Sequence, residues 1–196
     1  GTDILSISDA TTTIDDDFAY VTSVETLTLS NNANTVTLGA NAEAAGIVTI
    51  NGNANVDTIT LGASYTSDVT ITTAAGNDVV DAGSYTGALT IDNSAGGTLA
   101  FTMGTGATDL TGGAAVETVQ IGAATSSDTT DSLAGAGGTD GSNVTTAGTV
   151  VDAAFTNIAT FETLTSGDVA MNITLGLLAK AAGIVTVTLG NAANTV

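Results

Sequence analysis

An all-β fold, a parallel β-solenoid or β-roll-like stack of short strands, is the architecture this chain of 196 residues predicts. Three observations lead there. Triplets reading apolar, Thr, apolar return at intervals of about ten or eleven residues, which implies two strands per coil of about twenty-one. A long passage then recurs: VETLTL…VTLG…AAGIVTI from Val24 returns as FETLTS…ITLG…AAGIVTV from Phe161, so Glu25 and Glu162 stand 137 residues apart in matching phrases. Finally, Thr makes up about a fifth of the chain, Gly supplies 24 residues, Pro is absent and aromatics are 4%. β-Branched residues punctuated by Gly and Asn indicate strands and turns, and small aliphatic side chains suit thin repetitive layers. A β-sandwich, which also takes strands at regular spacing, is the alternative.

Taken in order, the chain opens with a strand-like GTDILSIS, and an acidic tip at Asp15, Asp16 and Asp17 separates two strand-like stretches. The triplets follow as Val36-Thr37-Leu38, Val48-Thr49-Ile50, Ile59-Thr60-Leu61, Val69-Thr70-Ile71 and Leu89-Thr90-Ile91, with Val79-Val80 filling the one double step. Period-two alternation turns Val36, Leu38, Val48, Ile50, Ile59, Leu61, Val69 and Ile71 to one face, the core, and the intervening Thr outward. Turns fall at Gly39, Gly46, Gly52, Gly62, Gly76, Gly83 and Gly87. The one helical stretch runs from Leu177 to Ala182. Residues 123–149 hold almost no large apolar side chain and read as a loop or insertion. That divides the chain into a β-repeat module at 1–122, the Gly/Thr/Ser-rich stretch at 123–149 and the start of a second module at 150–196. Because it closes on NAANTV, part-way through a recurring phrase, the chain reads as a window on a longer array.

Charge excludes several functions. Twenty acids stand against one base, Lys180, for a formal net charge of −19, with no His. Nucleic acid is ruled out as a partner, since phosphate binding needs clustered Lys and Arg. Without His, Cys or Arg, the usual nucleophile–base triads, imidazole zinc sites and phosphate clamps cannot be assembled, so an enzyme is not expected. No apolar run has the length of a membrane span. Self-repulsion at this charge opposes compaction, and hard cations take carboxylate and carbonyl oxygens, so calcium binding is the economical reading of the composition. An acidic solvated surface is the plainer one.

The most specific short passage is Gly76-Asn77-Asp78-Val79-Val80-Asp81-Ala82-Gly83. It resembles the glycine- and aspartate-rich nonapeptide of RTX proteins, in which Gly-rich turns bind calcium between the coils of a parallel β-roll; Ala74, Ala75 and Ala82 stand where that pattern has Gly. Asn55 and Asp57 lie one coil earlier, and Asn34 one coil before that. The resemblance implies calcium at Asn55, Asp57, Gly76, Asn77, Asp78 and Asp81. Asn, Asp and Gly closing turns is the structural alternative. Asp15, Asp16 and Asp17, and likewise Asp128, Asp131 and Asp140, admit both readings.

A second phrase recurs as Val24-Glu25-Thr26-Leu27, Val116-Glu117-Thr118-Val119 and Phe161-Glu162-Thr163-Leu164. With GTDILSIS and Asn157-Ile158-Ala159-Thr160, it is similar to passages of bacterial surface-layer proteins of the RTX-linked type. That likeness implies a calcium-stabilised, type I-secreted protein that assembles with copies of itself outside the cell, with cell-surface polysaccharide as a second partner class. The repeated Glu reads equally as a strand-entry residue paired with backbone amides. A stalk or binding segment of a large RTX-type adhesin is the alternative function. The frequent Thr-x-Thr pairs, such as Thr58/Thr60 and Thr70/Thr72, also bring an ice-binding solenoid into view.

Overall fold

The computed structural model describes residues 1–121 and 128–196. Its first ten strands are β1 (Ile4–Ser6), β2 (Thr12–Thr13), β3 (Thr26–Thr28), β4 (Asn34–Leu38), β5 (Thr49–Asn51), β6 (Asp57–Leu61), β7 (Val69–Thr72), β8 (Asn77–Asp81), β9 (Leu89–Asp92) and β10 (Thr98–Thr102). They continue as β11 (Thr108–Thr111), β12 (Glu117–Ile121), β13 (Ser132–Ala134), β14 (Gly141–Val144), β15 (Gly148–Val150), β16 (Ile158–Ala159), β17 (Thr163–Ser166), β18 (Met171–Ile173) and β19 (Thr186–Thr188). Two short helices, α1 (Ala40–Ala45) and α2 (Leu177–Ala182), and two 3-10 turns, Asp15–Phe18 and Asp152–Phe155, lie between strands.

Every pairing among these strands is parallel. One sheet takes β1, β3, β5, β7, β9, β11, β13 and β16; a second takes β2, β4, β6, β8, β10, β12, β14, β17 and β19; β15 and β18 form a third. Parallel neighbours need a crossover, and here each crossover passes through a strand of the facing sheet. The result is a parallel β-solenoid of two strands per coil, not a sandwich of antiparallel strands.

Alternation drives the packing. In the first sheet the inward column runs Leu5, Leu27, Ile50, Ile71, Ile91, Leu110, Leu133 and Ile158, each residue in register with the next. In the second sheet Val36, Ile59, Val80, Phe101 and Val119 stack in the same way. Fully burying each such side chain contributes about 1.5–3 kcal/mol, and neighbours sit about 4.8 Å apart along the stack. Of the predicted inward residues, Val48 departs: it precedes β5 and is 38% exposed. The stretch expected as a loop is only partly one. Residues 123–127 lie outside the described residues, whereas β13 and β14 fall within 128–149 and continue the two sheets, and β15 begins there at Gly148 and opens the third. Leu133, Val144 and Val150 supply the inward positions there, with Ser142 as a polar substitute that sequence periodicity does not reveal.

The 137-residue echo is structural. β1, β3 and β5 of the first copy match β14, β17 and β19 of the second, and α1 matches α2. Yet β1, β3 and β5 belong to the first sheet, while β14, β17 and β19 belong to the second. Six coils and a half separate the copies, so the second copy starts one face further round and the third sheet opens where the first copy has β2 and β4.

The predicted helix Leu177–Ala182 forms as α2, and its unpredicted counterpart α1 forms in the first copy. Both depend on a carboxylate one coil away. Asp15 accepts hydrogen bonds from the N–H groups of Gly39 (2.7 Å), Asn41 (3.0 Å) and Ala42 (2.9 Å). Asp152 does the same for Gly176 (2.8 Å), Leu178 (3.2 Å) and Ala179 (2.9 Å). These are the free donors at a helix start. Each helix ends on a glycine in the left-handed region, Gly46 at φ 97° and Gly183 at φ 105°.

Candidate functional site: a ladder of inter-coil carboxylates

At the corner leading into the second sheet, one position per coil stacks Asn34, Asp57, Asp78, Leu99, Glu117, Asp140 and Glu162. Each acidic member bar Glu162 is buried, with Asp57 and Glu117 at 0% exposure, Asp78 at 2% and Asp140 at 1%. At four steps the side chain accepts the backbone N–H of the residue one coil before. Asn34 donates to Asp57 Oδ1 at 3.1 Å and Asp57 to Asp78 Oδ1 at 2.8 Å. Beyond Leu99, Glu117 donates to Asp140 Oδ1 at 2.8 Å and Asp140 to Glu162 Oε2 at 2.8 Å. The same carboxylates also close their own turns: Asp57 Oδ2 accepts Asn53 N–H, and Glu117 Oε1 accepts Gly113 N–H together with the Asn93 amide.

The device recurs outside the column. Glu25 Oε2 accepts Asp3 N–H at 2.8 Å, Asp131 Oδ1 accepts Thr108 N–H at 2.9 Å, and Asp168 Oδ1 accepts Asn191 N–H at 2.8 Å. Glu43 Oε1 takes both the N–H and the hydroxyl of Thr66 and of Ser67, and the Ser67 hydroxyl above all holds its carboxyl below the usual range. Carboxylates suit this work because they offer two acceptor oxygens and no donor.

Burial has an electrostatic consequence. It is the main cause pushing the Asp78 carboxyl up to about 6, and it raises Asp131 as well. Glu117 and Asp140 are both raised, again by burial first. Three carboxylate oxygens, Asp78 Oδ2, Glu117 Oε2 and Asp140 Oδ2, and the Ser142 hydroxyl are buried with no hydrogen-bond partner among the described residues. Leu99 interrupts the column between Asp78 and Glu117 with a side chain that neither donates nor accepts.

The six residues expected to hold calcium are divided. Asp57 and Asp78 meet in the ladder. Asn55, Gly76 and Asn77 line an open surface groove with Gly96, Gly97 and Ala115. Asp81 lies exposed at the far end of β8, on the opposite face from Asp78, where its Oδ1 accepts Gly83 N–H at 3.0 Å. Among the described residues no group of three acids converges on a point. As arranged, the six do not fit the shell of about six to eight oxygens that one calcium ion takes.

The sequence admits Glu117 and Glu162 either as part of a surface-layer-like phrase or as strand-entry residues paired with backbone amides, and both do accept backbone N–H groups, whereas Asp140 reads there as a loop residue. A spacing carries the missing signal: Gly52 and Asp57, Gly112 and Glu117, and Gly135 and Asp140 each stand five apart. The glycine is needed because a Cβ on Gly112 would lie 2.7 Å from Glu117 Oε2, and one on Gly135 would lie 2.2 Å from Asp140 Oδ2.

In the first sheet Thr26, Thr49, Thr70 and Thr90 stand in register over four coils before Asp109 ends the rank, and in the second sheet the ranks are shorter. Thr35 and Thr37 sit beside Thr58 and Thr60, and the next coil then presents Val79 and Asp81. No helix among the described residues is long and apolar enough to cross a membrane. No family model, curated protein or solved structure matches the chain.

Proposed function

We propose that this chain is a structural segment of an extracellular bacterial surface protein, a surface layer or fibre, whose work is to stack and self-assemble rather than to turn over a substrate. The observation that carries the reading is that acids are used to join coils: Asp57, Asp78, Asp140 and the half-buried Glu162 each accept a backbone N–H of the coil before, and the buried Glu117 accepts the Asn93 side-chain amide of the coil before. Side chains that would serve chemistry in a cleft are committed to holding a rod. Such solenoids draw stability from nearest-neighbour interfaces, so length and stiffness can grow by repetition.

In this reading calcium acts on the exposed carboxylates, Asp16, Asp81 and Asp109 among them, by screening a net charge of −19 and bridging neighbouring rods. The resemblance of Gly76–Gly83 to RTX repeats and of the Glu-Thr-Leu phrases to surface-layer proteins supports it. Electron microscopy and light scattering of the purified chain, with added calcium and then with chelator, test it. Ordered fibres or sheets that form with calcium and disperse in chelator are expected. Assembly unaffected by chelator overturns the calcium component, and a chain that stays monomeric at every calcium level overturns self-assembly.

A further inference from the structure

Glu117 and Asp140 stand one coil apart at the entries to β12 and β14, where Glu117 N–H meets Asp140 Oδ1 at 2.8 Å and each carboxyl bears on the other's protonation. Three of the bonds around them are ordinary. Glu117 N–H donates to Asp140 Oδ1 at 2.8 Å, while Glu117 Oε1 accepts the Asn93 amide at 2.7 Å and Gly113 N–H at 3.3 Å. That leaves Glu117 Oε2 and Asp140 Oδ2, both buried and both without a donor among the described residues.

Their surroundings add acceptors rather than donors. The Cβ position of Gly112 lies 2.7 Å from Glu117 Oε2 and 2.4 Å from the Gly135 carbonyl oxygen, and that of Gly135 lies 2.2 Å from Asp140 Oδ2 and 2.5 Å from the Thr160 carbonyl oxygen. Of the packed elements, β10 carries no titratable group on the Glu117 side, the turn before it offers Asn93, and β17 is entered by Glu162, whose carboxylate accepts Asp140 N–H. The sole basic residue, Lys180, is exposed on α2. Two buried carboxylates this close do not both ionise. A metal ion fits poorly, because the other oxygen of each carboxyl already accepts an N–H and too few remain for a hard cation's shell.

We propose that Glu117 and Asp140 share a single proton in the folded chain at neutral pH, forming a carboxyl–carboxylate latch between two coils. The proton is taken from solvent on folding; the pair then carries one negative charge, and one O–H donates to the opposite carboxylate oxygen. Removing the proton leaves two charges and two unpaired oxygens, so rising pH opens this joint. The inference does not depend on the surface-layer reading, since it concerns the joint and not the assembly.

Thermal unfolding of the full chain across about pH 5 to 8.5, followed by circular dichroism with calorimetric enthalpies, gives the number of protons bound on folding. Glu117→Gln puts a permanent N–H donor in place of the shared proton and keeps the acceptor facing Asn93. The expected result is that the variant binds about one proton fewer on folding near neutral pH and melts higher than the native chain at about pH 8. Asp140→Asn tests the same exchange from the other side. An unchanged proton count in both variants overturns the latch. So does a rise in native stability at about pH 8 on adding calcium that is lost in Glu117→Gln, because a cation would then hold the pair. Should both variants fail to fold, infrared spectroscopy of the native chain decides: a protonated-carboxyl stretch persisting at neutral pH supports the latch, and its absence refutes it.

Discussion

Replacing Asp15 by Ala removes one carboxylate and strands three donors at once. Its two oxygens serve Gly39, Asn41 and Ala42 at 2.7, 3.0 and 2.9 Å, and the site is partly buried. Losing a helix cap costs about 0.5–2 kcal/mol, and hydrogen bonds to charged groups lie at the upper end of single-bond values. With three bonds lost and water replacing some of them, about 2 kcal/mol is expected for the local opening of α1, or about a thirty-fold change. Because a solenoid's coils are coupled mainly to their neighbours, the loss is local, and amide hydrogen exchange is the right assay. Exchange at Gly39, Asn41 and Ala42 should quicken by about that factor while the α2 amides remain as protected as before. Asp15→Asn keeps one acceptor oxygen and should fall between. The matching Asp152→Ala change should loosen Gly176, Leu178 and Ala179 instead. If Asp15→Ala leaves protection at Gly39, Asn41 and Ala42 unaltered, the claim that acids bind coil to coil is wrong at its clearest site.

Two further outcomes follow from the ladder. Gly112→Ala places a methyl 2.4 Å from the Gly135 carbonyl oxygen and should cost about 1–3 kcal/mol, read as a lowered melting temperature; a neutral result would mean that the coils are not this close. Asp78 has its carboxyl raised by burial from 3.8 to about 6, so the native state holds the proton more tightly than the unfolded chain. Its contribution is fully present below about pH 4 and is lost as pH rises to about 6, and Asp78→Asn should remove that part of the pH dependence of unfolding.

The strand pattern was legible because alternation and coil length are both local. Ile59-Thr60-Leu61 and Val69-Thr70-Ile71 each declare an inward and an outward face within three residues, and the structure places them so. Helix α1 was not legible, because its buried stripe is only Ala42 and Ala45 and it forms on a cap supplied by Asp15 from the coil before. The partner of Glu117 was hidden for a similar reason. Asp140 lies in a run of Gly, Ser and Thr that looks unstructured when read alone, and becomes a ladder rung only once the 23-residue step from Glu117 is known. What the expected calcium set lacked was facing: Asp78 and Asp81 are close in sequence, but an odd separation along a strand sends them to opposite sides.

The long repeat shows how such local rules set the shape of the whole. A coil of about twenty-one residues goes into 137 six and a half times, and a half-integral quotient obliges the second copy to begin on the facing sheet. The chain meets this by changing its step: partners lie 23 residues apart between β4 and β6, 18 between β10 and β12, and 23 again between β12 and β14. Short coils leave no room for a helix, and β15 and β18 then build a third face where the step has lengthened. The carboxyl column passes through this change without losing its place. Glu117 ends the short coils and Asp140 begins the long ones, so the two acids meet where the solenoid alters its step. The proposed proton-sharing pair therefore sits at the joint between the two step lengths, where opening it would loosen the short coils from the long ones.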